Sequence, residues 1–196
     1  MSKESRFPNK NLLVWISANI LGFAALGVLI LAFPSLMSIS GFVPTYLIIS
    51  IPIGLAQWLA LRHILRTSVL WVFTVPVGVL FAALIFRIAP YGLWLNLGDE
   101  SILALTSGYF VLGLSIGLPQ WLMLRRQLAK SSIWLLSSSI AVATGFCLVL
   151  ITDLINQSGI LSAIVVVFIY PIITGLTLSW LIVYNNNSHP KLKNAA

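Results

Sequence analysis

Residues 54–71 read GLAQWLALRHILRTSVLW, and residues 117–134 read GLPQWLMLRRQLAKSSIW. Ten of these eighteen positions coincide at a constant offset of 63 residues: Gly, Leu, Gln, Trp, Leu, Leu, Arg, Leu, Ser and Trp. An offset of 63 residues is two membrane-crossing helices with their turns, so the second copy keeps the orientation of the first, the signature of a parallel rather than an inverted repeat. A weaker third copy stands near the C-terminus, where Ser179-Trp180-Leu181 follows the pattern of Gln57-Trp58-Leu59 and Gln120-Trp121-Leu122 and Tyr184 takes the place of the Arg. The segments between the copies share a pattern too. Trp15, Trp71 and Trp134 are each followed seven residues later by a small residue: Gly22, Gly78 and Ala141.

The surroundings of the repeat define its solvent. The 196-residue chain is 59% hydrophobic and 8% charged, with a mean hydropathy of +1.03. A water-exposed globular surface needs about 25% charged residues, which excludes a soluble domain. The abundance of Leu, Ile, Val and Phe excludes a disordered chain, and the single Cys excludes a disulfide scaffold. A helix needs about 20 mostly apolar residues to cross the hydrocarbon core. Six such runs occur, at about 12–33, 42–62, 69–89, 103–124, 133–155 and 160–184. They are continuous rather than alternating, which argues against a β-barrel. The expected fold is all-α, a six-transmembrane-helix bundle built from three parallel helical-hairpin repeats. Residues 1–196 form one integral membrane domain, with hairpins at about 12–62, 69–124 and 133–184 and short termini at 1–11 and 185–196. The first run is near 22 residues, too long for the core of a cleavable signal, and reads as a retained helix.

Charge sets the expected orientation. Lys3, Arg6, Lys10, Arg62, Arg66, Arg125, Arg126, Lys130, Lys191 and Lys193 fall at one set of span ends, ten of the eleven basic residues, and Arg87 alone lies towards the other. Asp99, Glu100 and Asp153 stand opposite the basic face. Basic residues resist translocation, so both termini are expected in the cytoplasm. The same asymmetry accounts for the net charge of +7 without nucleic acid.

Within the repeat, Ser50, Gly54, Gln57 and Leu61 draw one stripe along a helix, and Gly113, Gly117, Gln120 and Leu124 draw its copy. Small residues four apart allow close helix approach, and a buried amide can hydrogen-bond across the contact. Gln57 lies five residues before Arg62, about 7.5 Å deeper in the membrane. Trp58 with Arg62, and Trp121 with Arg125, are four residues apart on an adjoining face, where the Arg stem lies along the indole and the head reaches phosphate. Ser68 and Ser131 are expected N-caps of the third and fifth helices. The six tryptophans Trp15, Trp58, Trp71, Trp121, Trp134 and Trp180 lie one per helix near the basic ends and read as an interfacial anchoring belt. The candidate packing or binding residues are therefore Gln57, Gln120, Gly54, Gly117, Trp58, Trp121, Arg62 and Arg125. They admit two readings, a hairpin-turn packing module or a site for a lipid headgroup, a pigment or a partner helix. The repeated GLxQWLxLR segment resembles one found in uncharacterised multipass membrane proteins of bacteria, mainly cyanobacteria. That resemblance implies a bacterial plasma or thylakoid membrane and no particular activity.

Reactive chemistry is sparse. His63 and His189 lie among basic residues, Asp99 and Glu100 share an outer turn, and Cys147 has no second Cys. No metalloprotease, Walker or nucleophile-elbow motif is present. The expectation is a non-enzymatic protein with no catalytic residue, cofactor or metal. Its partners are the lipid bilayer and another integral membrane protein, and no signal defines an oligomeric state. Carriers that couple to ions keep ionisable groups in the bundle. Here only Arg87 and Asp153 are candidates, and polar mid-span material is limited to Asn19, Thr74, Ser137–Ser139, Tyr109 and Thr144. A small transporter or channel is the alternative to a structural or accessory role.

Overall fold

A computed structural model describes residues 9–33, 42–65, 67–88, 102–156 and 159–188. All regular structure among them is helical: α1 (Asn9–Ala32), α2 (Phe42–Leu65), a 3-10 turn η1 (Val69–Phe73) running into α3 (Thr74–Ile88), α4 (Ile102–Leu124), α5 (Ile133–Asn156) and α6 (Gly159–Ser188). Five stretches are long and apolar enough to cross a bilayer, at 10–32, 69–87, 106–124, 133–151 and 167–187. α2 has 24 residues, and the span expected at 42–62 includes side chains outside the described residues. α6 runs to Ser188, so the C-terminal segment expected from residue 185 begins as helix. The acidic pair Asp99–Glu100, the Asp153 side chain and both histidine side chains lie outside the described residues.

Each helix packs on its neighbours in sequence, and α1 packs on α6, so the six described helices close into a ring. In lipid no hydrophobic force drives one apolar helix onto another; close packing and polar contacts must do it. Glycines supply the close approaches. A methyl on Gly113 would lie 2.6 Å from Ser139 Cα on α5, and one on Gly78 would run into the α4 backbone at Ser115 and Ile116. Gly54 is pressed against the Val72 carbonyl of η1. Gly22 meets Ile53 and Ala56 of α2, and Gly175 meets Leu12 and Trp15 of α1. By contrast, Gly27 and Gly145 face open space.

The basic end of the ring is filled by Leu61, Leu124, Leu128, Leu178 and Leu181, with Trp15, Trp71 and Trp134 beside them. These three indoles have no exposed surface. They correct the expectation of a belt. Only the even-helix set is at the periphery, with Trp58 and Trp121 half-buried and Trp180 44% exposed. The physical reason is that the odd-helix indoles find buried partners for their N–H groups, so they need not reach the headgroup level.

Overpacking by a methylene-sized group typically costs about 1–3 kcal/mol. Gly113→Ala should therefore lower the melting temperature of the detergent-solubilised protein clearly, because backbone cannot retreat from the new methyl. Gly145→Ala should leave it unchanged or raise it; equal effects of the two would contradict the packing described.

Candidate functional site

The inward stripe of α2 buries Ser50, Gly54, Gln57 and Leu61, and that of α4 buries Gly113, Gly117, Gln120 and Leu124. Gln57 and Gln120 are fully buried and meet directly, Gln120 Nε2 donating to Gln57 Oε1 at 3.1 Å. Around this pair the structure assembles a connected polar layer. Trp71 Nε1 donates to Gln57 Oε1 at 3.3 Å, and Trp134 Nε1 donates to Gln120 Oε1 at 2.9 Å. In both cases donor and acceptor are 14 residues apart, so the same bond occurs in the two copies of the repeated segment. Gln57 Nε2 donates to Asn19 Oδ1 at 2.8 Å, and Asn19 Nδ2 donates to the Trp15 carbonyl at 2.9 Å. Trp15 Nε1 reaches Thr174 Oγ1 on α6 at 3.1 Å, and Thr174 in turn donates to the Tyr170 carbonyl at 2.7 Å.

Every odd helix, or the turn leading into it, thus sends an indole N–H to the even helix that packs beside it. Trp71 goes to α2, Trp134 to α4, and Trp15 to α6 across the seam where the chain's first and last helices meet. Trp15 and Trp134 also touch each other edge-on, with ring centroids 5.8 Å apart and planes at 77°, a favourable quadrupole arrangement. The layer is uncharged throughout. Tyr170, at its edge, buries a hydroxyl directed at Ser138, Gln120 and Gln57 but lacks hydrogen-bond geometry to any of them.

The remaining candidates are two buried glycines and two Arg–Trp pairs whose arginines are exposed. Gly54 and Gly117 bring η1 and Ser138 of α5 close to the two amide-bearing helices. Arg62 and Arg125 are exposed and lie over the rings of Trp58 and Trp121, at 5.2 and 5.3 Å from the centroids. Trp58 Nε1 donates to the Thr67 carbonyl at 3.3 Å, bracing the α2–η1 turn. Ser68 caps that turn, accepting from Leu70 N at 3.3 Å, so the third helix begins as a 3-10 turn at Val69. In the second turn the Ser131 carbonyl accepts from Trp134 N at 2.9 Å. Lys130 adopts φ 56° there, and its ammonium sits 4.4 Å from the centre of the Tyr184 ring. That contact joins the turn to α6, as do the two 3.3 Å bonds of the Asn185 amide, one to the Gln127 carbonyl and one from Ala129 N.

The serines at the start of α5 suit, on sequence grounds, either a cavity lining or packing against a neighbour; Ser137 and Ser138 bond to neighbouring helices and Ser139 bonds within its own. Ser137 pairs with Thr177 at 2.6 Å, Ser138 donates to the Gly113 carbonyl at 3.0 Å, and Ser139 to the Leu135 carbonyl at 2.7 Å. Deeper along the same helix, Cys147 is half-buried with Sγ 3.0 Å from Thr106 Oγ1. Among the described residues no three His, Cys, Asp or Glu side chains come together as metal ligands. Sequence reasoning placed Asn19 only among mid-span polar residues; its position four residues after Trp15 is the signal that it joins the amide layer. Comparison of the chain with protein-family models, with curated proteins and with solved structures gives no match.

Leaving a buried donor or acceptor unsatisfied costs about 1–3 kcal/mol. Gln57→Ala strands the Trp71 N–H, the Asn19 carbonyl oxygen and one Gln120 N–H, so it should destabilise the folded protein by about 2 kcal/mol in a reversible detergent unfolding assay. Tyr170→Phe removes a hydroxyl without a partner and should leave stability unchanged or raise it by about 1 kcal/mol. A loss from Tyr170→Phe as large as that from Gln57→Ala would contradict the network as drawn.

Proposed function

We propose that this chain is a non-enzymatic integral membrane protein with a structural or accessory role, a rigid helical ring that packs against another membrane component. The observation that carries the reading is how its polar groups are spent. The inward amides and indoles bond to one another, and Ser137 and Ser138 of α5 bond to α6 and α4. The outward surface is instead broadly apolar, including Leu13, Leu21 and Leu31 on α1, Leu136 and Ile140 on α5, and Leu176 on α6. Such a molecule offers a preformed face rather than a reactive centre.

The same reading takes the ring as three copies of one unit. Two are contiguous, α2 with η1–α3 and α4 with α5. The third is split between the chain ends, α6 supplying Thr174 and α1 supplying Trp15. This division differs from hairpins 12–62, 69–124 and 133–184, and it is favoured because each unit then contains its own indole-to-even-helix bond. We further propose that both termini and the two arginine-bearing turns face the cytoplasm, in a bacterial plasma membrane or a thylakoid. That placement follows from basic residues resisting translocation and agrees with the likeness to cyanobacterial multipass proteins.

Two measurements test this. A photo-crosslinking residue at Leu136 or Leu176, activated in the native membrane, should give a discrete adduct with one membrane protein. Adducts with lipid alone from every outward position, together with solute flux in proteoliposomes, would replace the accessory role with the carrier. A single cysteine at Arg126, in a Cys147→Ser background, should react with an impermeant maleimide only after the membrane is opened; reaction from outside intact cells would invert the topology.

A further inference from the structure

At the basic end of the ring, α1, α2, α6 and the turn after α4 enclose an open vestibule of about 730 Å3. Its polar lining among the described residues is Lys10 and Asn11 from α1, Gln127 from the turn, and Asn185 and Asn186 from α6, and none of the described lining residues is acidic. Asn185 Nδ2 already donates to the Gln127 backbone carbonyl, while the Lys10 ammonium and the side-chain amides of Asn11, Gln127 and Asn186 are donors that line the space open to a guest. A second concavity of about 670 Å3 runs along the outer face between α1 and α2, past Leu13, Ser17, Ala18, Leu21 and Leu59. It is mostly apolar, and it shares Lys10, Val14 and Ala60 with the vestibule. The two are thus one continuous feature: a polar chamber at the membrane end that opens sideways, under a lysine, into a greasy groove.

From this geometry we infer a binding site for an anionic phospholipid, with the phosphate headgroup in the vestibule at Lys10, Asn11 and Asn186 and one acyl chain along the α1–α2 groove. Charge complementarity selects the sign, because a lysine and several side-chain amides, with no carboxylate among the described lining residues, leave an anion as the favourable guest. Length selects an acyl chain. Lys10 to Leu21 spans eleven residues, about 16 Å of helix, which matches the roughly 15 Å depth of one bilayer leaflet. Depth is consistent as well, because α1 and α2 close on each other further along, where Gly22 meets Ile53 and Ala56. The groove therefore ends where an acyl chain would meet the bilayer midplane. The site lies apart from the amide–indole layer and stands whether or not the outer face has a protein partner.

The test uses the full chain purified in a mild nonionic detergent, with phosphatidylglycerol and phosphatidylcholine of the same acyl chains as probes and bound lipid read by native mass spectrometry. Phosphatidylglycerol should be retained at least about tenfold more tightly than phosphatidylcholine. One lysine near an anionic headgroup contributes enough that Lys10→Gln should weaken retention about fivefold, with Lys10→Arg restoring it. Ser17→Phe, at an exposed position, should fill the groove and also reduce retention while leaving the melting temperature unchanged. Glycerol 3-phosphate, the headgroup without a chain, should fail to displace the lipid at equal concentration. Equal retention of the two lipids, wild-type retention by both Lys10→Gln and Ser17→Phe, or full displacement by glycerol 3-phosphate would each overturn the proposal, the last in favour of a free-anion site.

Discussion

An indole N–H buried within a bilayer has nowhere to turn for a hydrogen bond except another part of the protein. Water, which makes polar partners interchangeable in a soluble core, is excluded from the hydrocarbon region. Three such N–H groups, on Trp15, Trp71 and Trp134, therefore dictate where Thr174, Gln57 and Gln120 must stand. Once those are placed, Gln57 Nε2 donates to Asn19 and Gln120 Nε2 donates to Gln57, and five of the six helices are joined through side chains. α3 is joined through η1, whose Trp71 carbonyl accepts from Thr74 Oγ1 at 2.7 Å. Individually such bonds contribute about 0.6 kcal/mol in membranes. Their larger effect is specificity, since any rotation of one helix leaves several groups without partners at once.

Close packing makes those bonds geometrically possible. Side-chain amides are short, so Gln57 and Gln120 can meet only if α2 and α4 approach the middle of the ring together. Gly54 and Gly117, one turn away from each amide, allow η1 and α5 to close behind them. The leucines at 61 and 124, one turn to the other side, seal the layer from the basic end. The repeated stripe of small residue, amide and leucine is thus a radial stack: spacer, lock and plug. On α6, Gly175 meets α1, Thr174 accepts from the Trp15 indole, and Leu178 is buried. These contacts let α6 complete the ring without a glutamine.

Much of this was legible before any coordinates. Helix positions follow from hydropathy, and the buried stripes of α2 and α4 follow from the spacing of Ser50, Gly54, Gln57 and Leu61 and of their copies. The pairing of Arg62 with Trp58 and of Arg125 with Trp121 follows from a separation of four residues. The direction of the odd-helix tryptophans was not legible. These helices are apolar on every side, so periodicity gives no inward face, and an indole near a span end fits a headgroup belt equally well. What distinguishes the sets is a partner at fixed separation: Trp71 and Trp134 each follow a buried glutamine by 14 residues, whereas Trp15 finds its acceptor 159 residues away. A contact at that range closes the ring and cannot be read from local pattern. The vestibule beneath Lys10 was equally hidden, because four separate segments meet to make it.

Hydrogen exchange of the indole N–H groups offers the most direct measurement. With the tryptophans labelled with nitrogen-15 and the protein transferred to deuterated buffer in detergent, three indole N–H signals should persist far longer than those of Trp58, Trp121 and Trp180. Single Trp→Phe replacements should assign those three to positions 15, 71 and 134. Comparable exchange at these six indoles, or slow exchange confined to the tryptophans at 58, 121 and 180, would contradict the interlocked ring.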